Sequence, residues 1–353
     1  MLSADVVGAV AAAAVAIAQG APRVDDGHAA WSPEGRYVAF DRVRQLDAGY
    51  TNTSIYVVRA DGRLLHRITQ RSEPADAVEP VWSPDGRWIA FVIATKYFPP
   101  HVWWTRRNGR TARTPVGGGD TSNREVSPSW SPDGRRLAFA GRLAGRSGLY
   151  VADRDSGRTR LVVAGDVNAA AWSPDGGRIA FSDATSIAVV RAAGGPATRL
   201  AAPPGVVAWS PDGSRLAYAS VCSVAVVAAD ATGPPPQPPP CPPETETSVP
   251  SWSPTGRRFA YSNCRHLVCS VLVLSPGTAA PHPVYVARGR DPAWSPTGGE
   301  IAYTRVTRGF KPARIHVVHP DGTHDHPLVV GRRRAGRSAL APRRVLRNRR
   351  SRV

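Results

Sequence analysis

Carboxylates recur a few residues ahead of tryptophans in this chain: Glu79 in EPVW, Glu125 in EVSPSW, Asp166 in DVNAAAW and Asp291 in DPAW. Brought together, such groups would receive a basic peptide or a hard cation, which takes oxygen ligands. Kept apart, they hydrogen-bond to neighbouring loop amides. A second set combines aromatic rings with arginine: Tyr50, Tyr97, Phe98, Arg308 and Phe310. These residue types anchor protein interfaces when they form a patch, and cap sheet edges when they do not. A third set is His316, His319, His324 and His326, with Asp321 and Asp325 among them. Their spacing matches no standard zinc pattern, so no metal is expected, and His319, His324 and His326 stand only as weak candidates. There is no P-loop and no G-x-G-x-x-G. The strings nearest a nucleophile elbow, Gly145-Arg-Ser-Gly-Leu149 and Gly336-Arg-Ser-Ala-Leu340, do not match it. On these residues the chain reads as a non-enzyme without a cofactor.

The elements that would position these groups come from a repeat. WSPEGRYVAF begins at Trp31, and related strings begin at Trp82, Trp130, Trp172, Trp209, Trp252 and Trp294. The Trp-to-Trp spacings are 51, 48, 42, 37, 43 and 42 residues. A period of about 40–45 residues is that of four-stranded propeller blades. Ser-Pro-Asp-Gly is a type I turn, with Pro presetting φ and Gly taking the left-handed position, so each copy predicts a hairpin between strands A and B. The Ile89-Ala90-Phe91 triplet and its equivalents are β-prone, and the central Ala permits close sheet packing. The Trp is large enough to fill the gap between neighbouring sheets. Strands C and D follow, as in Ser54–Arg59 and Leu64–Thr69 of the first repeat. The expected fold is therefore all-β: a seven-bladed propeller of four-stranded antiparallel blades over residues 25–331. The fifth repeat is the weak point. GPPPQPPPCPPETE (233–246) occupies the place of its strand D, and Pro cannot donate to a ladder.

These WSPDG repeats resemble those of the TolB-type propeller family, related in shape to WD repeats, over roughly residues 25–331. The resemblance implies that the acids before strand A sit near the mouth of a central channel. Two departures matter: TolB resembles a six-bladed propeller preceded by an α/β domain, whereas seven motifs and no such domain occur here. Its Tol-Pal role is therefore not carried over. Some relatives attach the propeller to a hydrolase, for which no sequence remains. In a propeller the A–B and C–D turns share one face, and the B–C and D–A connections share the other. The first set is stereotyped here and the second varies, which predicts a recognition surface on the second face.

The remaining features concern location and partners. The chain has 353 residues and a formal net charge of +18. Ten arginines and no acid fall in Arg332–Val353, so residues 332–353 read as a basic disordered tail, with an anionic envelope polymer as its possible partner. The tail has no aromatic residue for base stacking, so there is no specific nucleic-acid signal. Val6–Ala18 is an apolar run ending in a small-x-small pattern, read as a signal peptide over 1–18, although no Lys or Arg precedes it. Export would place the protein in the periplasm, the envelope or outside the cell. Cys222, Cys241, Cys264 and Cys269 allow three pairings. A Cys264–Cys269 hairpin clamp and a second bridge on the Pro-rich stretch are one reading; four free or partly buried thiols are the other. The reading that follows is a monomeric, non-catalytic, secreted or envelope-located scaffold that recognises a protein or peptide through its B–C and D–A loop face. The alternative is a propeller hydrolase or lyase with an acidic or metal site at the channel mouth.

Overall fold

A computed structural model describes residues 24–45, 51–69, 75–95, 99–110, 112–113, 124–220, 224–232, 245–265, 268–276, 283–306 and 312–329. Among them there is no helix, and every strand pairing is antiparallel except one. Each WSP motif forms the expected hairpin. Trp31 ends one strand (Val24–Trp31) and the next begins at Tyr37 (Tyr37–Gln45). In all seven copies the Gly N–H donates to the Ser carbonyl, as in Gly35 to Ser32 at 2.8 Å and Gly298 to Ser295 at 2.9 Å. Every motif Gly has positive φ, between 65° and 78°, the geometry for which glycine was read. Where the turn holds Asp, its carboxylate accepts from the motif Ser hydroxyl, as Asp85 does from Ser83 at 2.5 Å.

Strands within each repeat pair in the order A-B-C-D. The third repeat is the plainest case: Arg124–Trp130, Arg136–Leu143, Arg146–Asp153 and Thr159–Ala164 lie side by side. The first two repeats merge into one eight-stranded sheet through a single parallel bridge, Thr53 to Asp76, reinforced by Thr53 N–H and hydroxyl bonds to the Asp76 carboxylate. The fifth repeat has three strands among the described residues, and its Pro-rich stretch 233–244 lies outside them. In the sixth, the inner strand is split into Thr245–Thr247 and Ser251–Trp252, both paired with Phe259–Arg265.

Apolar packing joins each repeat to the next. The motif alanines Ala39, Ala90, Ala138, Ala180, Ala217, Ala260 and Ala302 are all fully buried. Each belongs to a cluster shared with the following repeat. Ala90 packs with Trp130 and Leu137, for example, and Ala302 packs with Val38 and Phe40 of the first repeat. The last repeat thus closes on the first. Closure adds bonds: Asp26 N–H donates to the Ala313 carbonyl at 3.1 Å, Ala313 N–H donates to Asp25 at 2.8 Å, and Arg314 reaches the Val24 carbonyl. The motif turns also close into one ring on a single rim. Cβ atoms placed on Gly134, Gly176, Gly213, Gly256, Gly298 and Gly35 would each meet the motif Pro of the preceding repeat, ending with Gly35 against Pro296 at 3.5 Å.

The motif Trp does more than fill a gap. Its indole N–H donates to the carbonyl just before the preceding repeat's Trp: Trp82 to Ala30, Trp130 to Val81, Trp209 to Ala171, Trp252 to Ala208 and, across the closure, Trp31 to Ala293. Above the ring sits the residue six positions after the preceding Trp. Arg136, Arg178, Arg215 and Arg258 lie 4.9–5.3 Å over Trp172, Trp209, Trp252 and Trp294. Each such contact contributes about 0.5–1 kcal/mol.

Candidate functional site

Aligning the repeats on Trp exposes a column three residues upstream, on the innermost strands. It reads His28, Glu79, Ser127, Ala169, Val206, Val249 and Asp291. Four of these, His28, Glu79, Ser127 and Asp291, have left-handed backbone, with φ between 41° and 56°. All four sit at β-bulges, where the ladder slips between Gly27 and Ala30, Val78 and Val81, Val126 and Ser129, and Arg290 and Ala293. An inserted residue re-aims side chains, and bulges collect beside functional sites. Non-glycine residues in this region carry strain, which favours the same interpretation.

Three of the four bulges belong to repeats seven, one and two, which are neighbours through the closure. His28 Nδ1 lies 2.7 Å from Asp41 Oδ2, and the Glu79 backbone N–H donates to that same oxygen at 3.3 Å. Asp291 and Glu79 both act electrostatically on His28. The His28 side chain is 46% exposed, yet protein packed around it desolvates it. That desolvation disfavours its charge, but Asp41, followed by Asp291 and Glu79, outweighs it and pushes the imidazole up to about 10. At neutral pH the cluster is therefore one imidazolium among three carboxylic groups. Burial raises the Glu79 carboxyl, His28 opposes the rise, and Asp41 and Asp291 add to it. The Asp291 carboxylate also faces Arg290 Nε at 3.5 Å. Chemically, this constellation can receive a basic group, donate a hydrogen bond from His28, and hold or release a proton at Glu79.

The sequence-derived acids divide accordingly. Glu79 and Asp291 come together. Glu125 is fully buried, accepts the Val102 N–H at 3.0 Å, lies 3.9 Å from His101 Nδ1, and is pushed up to about 7 by burial against that bond. Asp166 is exposed beside the third and fourth repeats. His28 and Asp41 went unread in the sequence, although the Trp-aligned column would have singled out His28. Tyr50, Tyr97, Phe98, Arg308 and Phe310 lie outside the described residues, as do Cys222, Cys241, the leader and the tail. Cys264 and Cys269 form a disulfide directly across their hairpin. The His319 and His324 rings lie tilted to one another at 4.3 Å between centroids, His326 Nδ1 lies 2.8 Å from the His324 carbonyl, and His316 pairs with Asp325. Among the described residues no group of three or more His, Cys, Asp or Glu has metal-holding geometry.

No protein-family model matches the sequence, and no curated protein matches it. Solved structures do match the fold. A puromycin-hydrolyzing peptidase of Mycobacterium tuberculosis aligns over 87% of this chain and 53% of its own, at 15% identity and TM-score 0.66. A chain of the Mitotic Checkpoint Complex aligns over 82% and 96%, at 17% identity and TM-score 0.58. TolB from Acinetobacter baumannii aligns over 78% and 66%, at 19% identity and TM-score 0.52. This chain thus spans just under two thirds of TolB's length and about half of the peptidase's. The protein is a TolB-like β-propeller in fold, as its WSPDG repeats implied. The expectation of a non-enzyme is corrected: part of a peptidase shares this fold, so the fold does not decide whether the chain is an enzyme. Missing motifs in one chain do not separate binders from catalysts when a single fold hosts both.

Proposed function

We propose that this chain is a seven-bladed propeller that binds a protein or peptide partner through the rim bearing its B–C and D–A connections, with a basic group of the partner entering the His28–Asp41–Glu79–Asp291 cluster. One observation carries the reading: strained bulges from three adjacent innermost strands converge charged groups of both signs on one spot, while the opposite rim is closed by near-identical turns. A preformed rigid surface orders little backbone on binding, which favours affinity. A propeller chain of the Mitotic Checkpoint Complex offers a precedent for the fold within a protein assembly. The cluster also favours a second reading, acid–base catalysis, because Glu79 is a carboxyl raised by burial beside an imidazolium.

The proposed organisation is a signal peptide over 1–18, the propeller over 25–331 and a basic tail over 332–353. Export to the periplasm or envelope fits the Cys264–Cys269 bridge, since disulfides persist in oxidising compartments. The test is capture from the producing cell's envelope fraction by the wild-type chain and by Glu79→Gln/Asp291→Asn. A partner retained by the wild type and lost by the variant supports the reading. Equal retention by both removes the cluster from recognition.

A further inference from the structure

The rim of A–B and C–D turns carries a feature that the partner-binding face does not explain. Leu64 and Leu65 sit side by side in the first repeat's C–D turn and are 66% and 37% exposed. Leu64 has φ of 57°, a conformation rare for a bulky residue. The turn is not loose. Arg59 N–H donates to the Arg63 carbonyl at 2.8 Å, Arg63 N–H donates to Asp61 at 3.0 Å, and His66 Nδ1 and Nε2 lie 3.0 and 3.2 Å from the carbonyls of Leu64 and of Arg107 in the second repeat. The chain therefore holds two leucines out in solvent on an ordered, strained backbone.

Beside them the same rim is strongly basic. The turn segments of repeats two and three (82–88, 104–110, 130–136 and 153–160) hold nine arginines against four carboxylates. Asp85 and Asp133 accept from their motif serines and the following turn amides, and Asp153 accepts from Ser156. Asp155 pairs with Arg154, Asp133 faces Arg136 at 3.9 Å and Glu34 of the first repeat pairs with Arg107, which leaves a net basic surface. Arg106 and Arg154 both stack on Trp88, at 5.1 and 5.3 Å, which holds two guanidiniums near one another. Arg87, Arg106, Arg110, Arg135 and Arg158 are exposed.

The third observation is where the described chain ends. Leu328 O lies 2.5 Å from the position a Cβ would take on Gly62, two residues before Leu64. The described chain, which ends at residue 329, therefore reaches its end beside the exposed leucines, and the sequence beyond it carries ten arginines over 332–353. Apolar residues flanked by cations suit an anionic bilayer, which takes both terms at once. A soluble polyanion would use the arginines and gain nothing from the leucines.

We propose that this rim, at repeats one to three, docks on an anionic lipid surface, with Leu64 and Leu65 entering the interface and the arginines on headgroup phosphates. The opposite rim then faces away, free for a partner. The test is flotation of the full chain with vesicles of phosphatidylcholine alone or mixed with phosphatidylglycerol. Binding is expected only to the mixed vesicles and should weaken with salt. Leu64→Ser/Leu65→Ser should lose about tenfold in partition, and Arg106→Gln about fivefold. Leu64→Gly should also bind less while melting no lower than wild type, because Gly accepts the left-handed backbone. A chain lacking 332–353 should keep weaker, leucine-dependent binding. The proposal is overturned if the leucine variants float like wild type, if dextran sulfate is bound with equal leucine dependence, or if removing the tail alone abolishes binding.

Discussion

Asp26 and Arg42 form a buried bidentate ion pair beside the junction where the last repeat meets the first, with bonds of 2.5 and 3.0 Å and exposures of 1% and 8%. Arg42 also lies 5.1 Å over both Phe40 and Tyr56. Burial raises the Asp26 carboxyl above its ordinary value despite the opposing hydrogen bond and charge of Arg42, so desolvation outweighs the partner. Such a pair is costly to break and inexpensive to replace. Arg42→Met keeps the apolar stem but removes the ion-pair partner of Asp26, leaving the Ile315 N–H and the charge of Arg314, and should cost about 3 kcal/mol at pH 7. At roughly 2 °C per kcal/mol for a domain of this size, that is a drop of about 6 °C in Tm. Without Arg42 the carboxyl rises further. A raised carboxyl binds its proton in the folded state but not in the unfolded one, so its stabilisation is complete below the ordinary carboxylate value and is lost as pH rises. The Arg42→Met deficit should therefore shrink toward about pH 4. Asp26→Leu/Arg42→Met should lie within about 1 kcal/mol of wild type, because neither member of the pair is left buried without the other. Tryptophan-fluorescence melts of the three proteins at both pH values decide the matter. If the double variant melts as low as Arg42→Met, or the single deficit ignores pH, stranded charge is not the cause.

Glu125→Gln keeps the bond to Val102 but removes the ionisation. Because Glu125 is fully buried and raised from 4.5 to about 7, wild type should lose about 3 kcal/mol between those values as pH rises, and the variant should not; parallel melts across that range show whether the slope disappears. Glu300 occupies, in the seventh repeat, the position held by the stacking arginines of repeats three to six, so Glu300→Arg should add about 0.5–1 kcal/mol by covering Trp31; no gain on guanidinium unfolding would mean that the closing junction differs from the others. His28 should show no titration of its imidazole signals between about pH 6 and 8 by NMR, and Asp41→Asn should move titration toward that range; a wild-type midpoint near the ordinary histidine value would sink the cluster electrostatics. Reducing Cys264–Cys269 should cost about 2 kcal/mol, read as a lower unfolding midpoint that Cys264→Ala/Cys269→Ala reproduces.

The fold was legible because each repeat states its own geometry. Pro and Gly set the turn, Trp marks the junction, and the central Ala sets how closely sheets approach; none of these depends on distant residues. One local detail went unread, although it follows the residue before each Trp. Where the residue before the motif Trp is Ala or Val, its carbonyl takes the next repeat's indole N–H. Where it is Ser, at Ser129 and Ser251, the hydroxyl instead accepts the next Trp backbone N–H, at 2.9 and 2.8 Å. The indole of Trp294 then donates within its own turn, to Gly298.

The site resisted reading for the opposite reason. His28, Asp41, Glu79 and Asp291 are spread over more than 260 residues and meet only because the ring closes between repeats seven and one. A linear scan for acids before Trp grouped Glu79 with Glu125, whose offset from its Trp is five residues rather than three. Two residues of offset on an inner strand, combined with a bulge, send one carboxylate into the cluster and the other into the packed wall against Val102. Offset from the Trp, rather than residue type alone, therefore decides which polar groups this ring can present to a ligand.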